Sequence, residues 1–393
     1  MLLYIIILLT EIFTPVVLRQ HFFASSRAKY IAALIFNTIM SVWLWFLVIE
    51  IESDHGFYDS QRHIWLLMNL LGMTVAVVVP RIILITAHFT GRLIRIRAGG
   101  YIKWMTNTGL ITGSIIFLII ASATLHGRFN FTTEKVTIGI RGLNSELNEL
   151  RIVQISDMHL AGFYHHKELL EDVVDSINAW KPDLILNTGD FVTYGWREYG
   201  RTDTILSKEI SRLGKWAVLG NHDHGTYHPY FTEADRDNNV LNMNRLVKLS
   251  GYNVLTNGYE IINSGSASIA LVGVSTVGRH PDIKHGDINE ATKGLDSVDI
   301  KILLSHDPNQ WEKAVAGKTD IDLTLSGHTH GMQMGIYTKK FRWSPSKYFY
   351  PHWNGLFTEG NQYHYVNRGL GVLKIPFRIS MPPEITFITL KSI

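Results

Sequence analysis

Ile152-Val153-Gln154-Ile155-Ser156-Asp157-Met158-His159 is a short apolar run that stops on two metal-binding side chains. Four more runs end the same way. They are Leu184-Ile185-Leu186 before Gly189-Asp190, Trp216-Ala217-Val218-Leu219 before Gly220-Asn221-His222-Asp223, Ile302-Leu303-Leu304 before Ser305-His306, and Leu323-Thr324-Leu325 before Gly327-His328-Thr329-His330. A short apolar run bounded by turn residues reads as a buried strand. In layered sheets, ligands sit beyond the carboxyl ends of strands. The pattern predicts that one edge of one sheet gathers Asp157, His159, Asp190, Asn221, His306, His328 and His330. That is too many hard and borderline donors for one cation, and it suits two.

The spacing adds detail. Asp157 and His159 are one residue apart, as are His328 and His330. On extended backbone, i and i+2 point to the same side, so each pair can serve one metal or divide between two. Gly189 and Gly327 permit tight turns and close backbone approach. A carboxylate such as Asp190 can bridge two cations. Such a pair clamps a phosphoryl group and acidifies water enough to give hydroxide at neutral pH.

The ordered blocks Asp-x-His, Gly-Asp, Gly-Asn-His-Asp, a later His and Gly-His-Thr-His cover roughly residues 134–390. Together they resemble the calcineurin-like metallophosphoesterase superfamily. Asn367-Arg368-Gly369-Leu370-Gly371 and Pro382-Pro383-Glu384 are similar to its membrane-anchored branch. The resemblance implies an α/β fold, a four-layer αββα sandwich. It implies Asp157, His159, Asp190 and His330 on a first metal, and Asp190, Asn221, His306 and His328 on a second. His222 would be catalytic, protonating the leaving oxygen or stabilising the transition state. Asp223, where the family often has Glu, would orient that imidazole and keep it charged longer. The cofactors would be two divalent or trivalent ions drawn from Mn, Fe, Zn or Co.

The rest of the chain sets this chemistry in a membrane. Of 393 residues, 46% are hydrophobic and only 18% charged, and none is Cys, so any metal site must use nitrogen and oxygen donors. A net charge of +3 with no long basic run gives no reason to expect nucleic acid. Apolar stretches at 2–18, 31–50, 64–88 and 104–125 are long enough to cross ~30 Å of hydrocarbon as helices. The domain division is therefore 1–128, a transmembrane region of about four helices, and 129–393, the phosphoesterase domain. Arg19, Arg27 and Lys29 follow the first stretch, and Arg92, Arg95, Arg97 and Lys103 follow the third. The middle loop is acidic (Glu50, Glu52, Asp54, Asp59). Basic loops stay in the cytoplasm, which places the catalytic domain of this multi-pass protein on the far side. Arg81 could snorkel if it lies near the end of the hydrocarbon region. His21, His55, His63, His88 and His126, near span ends, read as interfacial or solvated rather than as ligands.

Further expectations concern the rim of the site. Helices are expected at 167–180, 204–213 and 233–250. His165, His166, His224 and His228 read as solvated loop residues. His280 and His285 lie in a polar segment that could cover the site. Arg368 could touch a phosphate or form a salt bridge. The mixed basic and aromatic segment 339–357, with Trp343 and Trp353, either meets the membrane or packs over the sheet. The function that follows is hydrolysis of a phosphomonoester, phosphodiester or pyrophosphate, lipid-linked or from the cell envelope. A UDP-2,3-diacylglucosamine-type pyrophosphate hydrolase of lipid A synthesis is a rival and would need a cytoplasmic domain. From another class, a vestigial membrane sensor or scaffold is disfavoured by the complete ligand set.

Overall fold

The computed structural model describes residues 2–98, 103–276, 286–295 and 298–393; His280 and His285 lie outside them. Contacts divide the chain into two units. The first holds α1 (Leu2–Phe22), α2 (Arg27–Glu52), most of α3 (Gln61–Ala98) and α4 (Lys103–Leu125). All four are long and apolar enough to cross a membrane. Without a hydrophobic drive between helices in lipid, small residues and polar bonds hold such a bundle. Gly109 and Gly113 do the first job. A Cβ on Gly109 would lie 2.6 Å from Ala87, and one on Gly113 would lie 3.1 Å from the Pro80 carbonyl.

Polar side chains do the second job. Arg81 is buried in the bundle. Its guanidinium lies 3.7 Å from Glu11 and donates to the Asn37 carbonyl (3.1 Å) and Ser41 Oγ (2.6 Å). Glu11 also accepts from Trp45 Nε1 at 2.9 Å. An unpaired charge in hydrocarbon costs more than a paired one, which favours Glu11 over a distant interface. Likewise His21 and His88 are buried, bonded to Asn107 and to Thr106 and Gln20.

The second unit takes residues 57–65 and nearly all of the chain from 127 onward. Its elements are β1 (Thr132–Ile140), β2 (Arg151–Ile155), α5 (Lys167–Trp180), β3 (Leu184–Asn187), α6 (Asp203–Leu206), β4 (Gly214–Ala217), α7 (Glu233–Leu249), β5 (Asn253–Val254), β6 (Gly258–Ser264), β7 (Ala267–Val274), α8 (Ile288–Ala291), β8 (Ile300–Ser305), β9 (Leu323–Ser326), β10 (Ile336–Tyr337), β11 (Arg342–Trp343), β12 (Gly355–Glu359), β13 (Gln362–Val366) and β14 (Glu384–Ser392). The expected helix over 204–213 stops at Leu206. Asn178 of α5 bonds the Lys208 carbonyl and the Ile210 amide, which removes these groups from a helical ladder.

Two six-stranded sheets form, ordered β1-β14-β2-β3-β4-β5 and β12-β13-β9-β8-β7-β6. Strand alternation explains the layers. Ile152, Leu184, Trp216, Ile302, Leu304, Leu323 and Tyr365 face inward and fill one core between the sheets. Val153, Ile155, Ile185 and Ala217 face outward under α5 and α7, where Leu170, Val173, Ile177, Met243 and Val247 cover them. Val272, Val274 and Leu303 meet α8 and the turn carrying Trp311 and Val315. The architecture is the expected αββα sandwich. Gln154 crosses the core, donating to the Ser326 carbonyl at 2.8 Å. β1 pairs in parallel with β14, and the Thr132 hydroxyl donates to the carbonyl of Pro383, 251 positions away.

Fully burying one such aliphatic side chain contributes about 1.5–3 kcal/mol. Leu304→Ala opens a void between the sheets and should destabilise the second unit by about 2–5 kcal/mol. Urea unfolding of the detergent-solubilised chain, followed by tryptophan fluorescence, measures this; a shift under about 0.5 kcal/mol would mean that the inter-sheet core is not where the stability resides.

Candidate metal centre

The seven expected ligands come from both sheets rather than from one edge of one sheet. Asp157, His159, Asp190 and Asn221 follow β2, β3 and β4, while His306, His328 and His330 follow β8 and β9. Apolar runs disclose strands but not which strands pair. All seven sit where the carboxyl ends of the two sheets meet, and all but His328 are buried.

Backbone shape brings them together. Asp157, His159, Asp190, His328 and His330 all have left-handed backbones, with φ of 50°, 41°, 59°, 71° and 49°. Side-chain alternation along an extended strand therefore does not aim Asp157 and His159; a sharp turn does. Such conformations cost of order 1–3 kcal/mol each and persist where the surroundings enforce them. Glycines make room. A Cβ on Gly220 would come within 2.2 Å of Asp190 Oδ1, and one on Gly327 within 2.2 Å of Asp157 Oδ2. The His328 amide donates to both oxygens of Asp157 (3.1 and 2.9 Å). The His222 amide donates to Asp190 Oδ1 (2.9 Å), leaving Oδ2 facing the histidines.

Two groups of donor atoms result, each within 4.8 Å: Asp157, His159 and His330, and Asp190, His306 and His328. His330 Nε2 is 3.2 Å from Asp157 Oδ1 and 3.2 Å from His159 Nε2. His306 Nε2 is 3.1 Å from Asp190 Oδ2 and 3.2 Å from His328 Nδ1. Asp190 Oδ2 is also 4.0 Å from His159 Nε2, so one carboxylate oxygen faces both groups. Asn221 Oδ1 is buried with no hydrogen-bond partner among the described residues, while its amide donates to the Tyr227 hydroxyl. A buried orphan acceptor is costly unless something binds it. Electrostatics point the same way. Burial opposes ionisation of Asp157 and Asp190, yet the neighbouring histidines hold both well below the usual carboxylate range. Against its own burial, His306 is drawn up to about 10 by Asp190 and Asp157. The cluster demands positive charge, and divalent cations on nitrogen and oxygen donors supply it.

The opposite ring nitrogens are held by groups the sequence does not advertise. His159 Nδ1 meets Thr193 Oγ1 (3.2 Å), His306 Nδ1 the Thr188 carbonyl (2.7 Å), and His328 Nε2 the Tyr350 hydroxyl (2.8 Å). His222 stands beside the cluster, with its Nδ1 on the Thr193 carbonyl (2.6 Å) and its ring stacked on Tyr227. Asp223 does not hold that imidazole. Its oxygens accept from the amides of Asp190, Val192 and Gly220 and so tie together the loops after β3 and β4. Burial lowers the pKa of His222 despite Asp190 and the Thr193 carbonyl, so the ring is poised neutral rather than charged. Arg368 is fully buried between Glu384 (3.2 Å) and Glu134 (3.1 Å), with Tyr337 under its guanidinium. It braces the sheet and does not face a phosphate. His228 is buried, and His224 is half-buried with its Nε2 unbonded among the described residues, so neither is a solvated loop residue.

Comparison with known proteins fits this geometry. A family model described as calcineurin-like phosphoesterase matches residues 150–332. The uncharacterized metallophosphoesterase YkuE of Bacillus subtilis is 34% identical over 251 residues, covering 62% of this chain and 79% of that protein. The transmembrane proteins with metallophosphoesterase domain of Danio rerio and Bos taurus are 31% and 28% identical over 265 and 263 residues. Those matches take in 65% of this chain and 56% of each of those proteins.

Loss of an outer partner loosens a metal-binding histidine by about 10- to 100-fold in affinity. Tyr350→Phe should weaken metal retention to that extent at the group containing His328 and spare the other. Metal content by mass spectrometry across a chelator titration checks this; two ions released together as in the parent chain would refute it.

Proposed function

The chain belongs to the calcineurin-like metallophosphoesterase family and is a metal-dependent phosphoester hydrolase, and from that premise we propose how its site works and what it cleaves. Asp157, His159, Asp190 and His330 would hold one cation, and Asp190, Asn221, His306 and His328 a second. The observation that carries this reading is Asp190, whose Oδ2 faces histidines of both groups. Two bound cations supply Lewis acidity toward phosphoryl oxygens and acidify water.

The chain's own residues do the rest. The His222 Nδ1–H donated to Thr193 leaves Nε2 as the nitrogen that exchanges a proton with the leaving oxygen. A ring kept neutral by burial gains proton affinity when a phosphoryl dianion arrives. That is the polarity an acid needs, and it does not require Asp223 as partner. Asp223 serves as a positioning residue for the two loops it ties.

The substrate we propose is an amphiphilic phosphoester presented by a bilayer, outside the cytoplasm. Four helices able to span and relatives named as transmembrane proteins support membrane association. The basic loops after the first and third helices favour the outer side. Residues 332–349, which follow His330 and lead to Tyr350, expose Met332, Met334, Ile336, Phe341, Tyr348 and Phe349 beside Lys339, Lys340 and Lys347. Exposed rings and lysines together suit headgroups and the acyl boundary below them. Tyr350 and Trp353, by contrast, are buried and pack on Met381, so Trp353 is not a lipid contact.

Hydrolysis of p-nitrophenyl phosphate and bis(p-nitrophenyl) phosphate by the full-length protein, with Mn²⁺, Zn²⁺ or chelator, tests the chemistry. Turnover should need metal and fall at least about 100-fold in Asp190→Ala and His222→Ala. Metal-loaded protein with no turnover on either ester would remove the general phosphoesterase reading. For the substrate class, Phe341→Ser with Tyr348→Ser and Phe349→Ser should lower kcat/KM on a long-chain phosphoester in mixed micelles by about tenfold or more, equivalent to ~1.4 kcal/mol. The soluble ester should be unaffected. Equal effects on both esters would refute lipid presentation.

A further inference from the structure

Residues 57–65 are the end of the loop between the second and third membrane helices and the start of the third, yet they pack as part of the catalytic unit. Asp59 is their anchor and is 1% exposed. Its oxygens lie 3.1 and 3.3 Å from Arg197 NH1, and Oδ2 accepts from the Arg197 amide at 3.4 Å. His228 Nε2 stands 4.0 Å away on another side. Gly195 lets the carboxylate in, since a Cβ there would come within 2.4 Å of Asp59 Oδ2. Gln61 donates to the Tyr199 carbonyl at 3.4 Å.

The gripped loop, 193–200, matters because of its first residue. Thr193 holds His222 through its carbonyl and His159 through its hydroxyl. Glu198 accepts from the amides of Thr193, Tyr194 and Gly195, so the loop moves as one piece. The same segment reaches the neighbouring loops. Tyr58 packs edge-on to Tyr194 (5.4 Å) and His228 (5.2 Å), and Trp65 edge-on to His165 (4.7 Å). Those three rings belong to the loops after β3, β4 and β2, which carry Asp190, His222 and His159.

We infer that Asp59 is a positioning residue for catalysis, supplied by the segment between two membrane helices. Through Arg197 and Gly195 it fixes the loop whose Thr193 orients His159 and His222. The inference rests on the proposed role of His222 for its kinetic consequence, but not for its structural one. A buried carboxylate paired with a guanidinium is a strong, directional bond, and removing one partner leaves the other's charge unmatched.

The test uses the full-length protein in micelles with Asp59→Asn, Arg197→Gln, the double variant and Asp59→Glu. Arg197 is 26% exposed, so Arg197→Gln decides the matter if Asp59→Asn does not fold. With bis(p-nitrophenyl) phosphate, each single variant should lose about 10- to 100-fold in kcat while KM stays within about twofold. Metal content should hold. The double variant should be no worse than the worse single one, and Asp59→Glu should recover part of the loss. Independently of turnover, diethyl pyrocarbonate should modify His222 several-fold faster in both single variants of the chelated protein, read by peptide mass. An inactive parent protein would count against the proposed function, while the modification rates would still decide on Asp59. Unchanged kcat and unchanged His222 reactivity would overturn the inference. So would losses that merely track lost metal, or effects of the two substitutions that add.

Discussion

Two carboxylates, Asp157 and Asp190, stand buried at the junction between two sheets, and among the described residues the ionisable groups paired with them are imidazoles. A buried unpaired charge costs several kcal/mol, so this junction must be built to hold charge before anything else can happen there. The structure does so with backbone. Amides of His328 and His222 bind the carboxylates, glycines let chain segments touch them, and five candidate ligand positions accept a left-handed turn. The sandwich itself answers the same demand. Two sheets meeting at their carboxyl ends bring loops from both sides within a few ångströms of one another.

The sequence makes some of this plain and hides the rest, for physical reasons. Apolar runs ending in Asp, Asn and His are a local pattern, so the strands and the seven candidate ligands could be listed from it. Which strands pair is not local, and the candidate ligands follow strands of two sheets. Spacing suggested that alternation aims Asp157 and His159; φ angles of 50° and 41° show a turn doing that instead. Helix periodicity over 204–213 was undone by a single side chain, Asn178, bonding that backbone. Outer partners were least legible. Thr193, Thr188 and Tyr350 act through a hydroxyl or a carbonyl, and nothing in composition distinguishes those groups from hundreds of others. The expectation for Asp223 failed because adjacency in sequence to His222 says nothing about where a carboxylate points.

In the membrane unit, the polar residues are not decoration at its edges. Glu11, Ser41 and the Asn37 carbonyl surround Arg81, Trp45 donates to Glu11, and Gln20 links His88 to Arg92. In a medium that offers no water, each bond fixes which helix faces which. Hydropathy alone identifies the spans but passes over these bonds, because a few polar residues barely change a window average.

The parallel pairing of β1 with β14 has a consequence for biogenesis. β1 is the first strand of the catalytic unit to be made, and the strand it lies against carries residues some 251 positions later. At ribosomal speeds of about 5–20 residues per second, β1 waits on the order of ten to fifty seconds for its partner. β14 also separates β1 from β2, so the strand leading to Asp157 lacks that neighbour for the same interval. An unpaired strand edge is an invitation to the wrong partner. Until β14 emerges, the nascent catalytic unit depends on whatever holds chains apart on the side of the membrane where it appears.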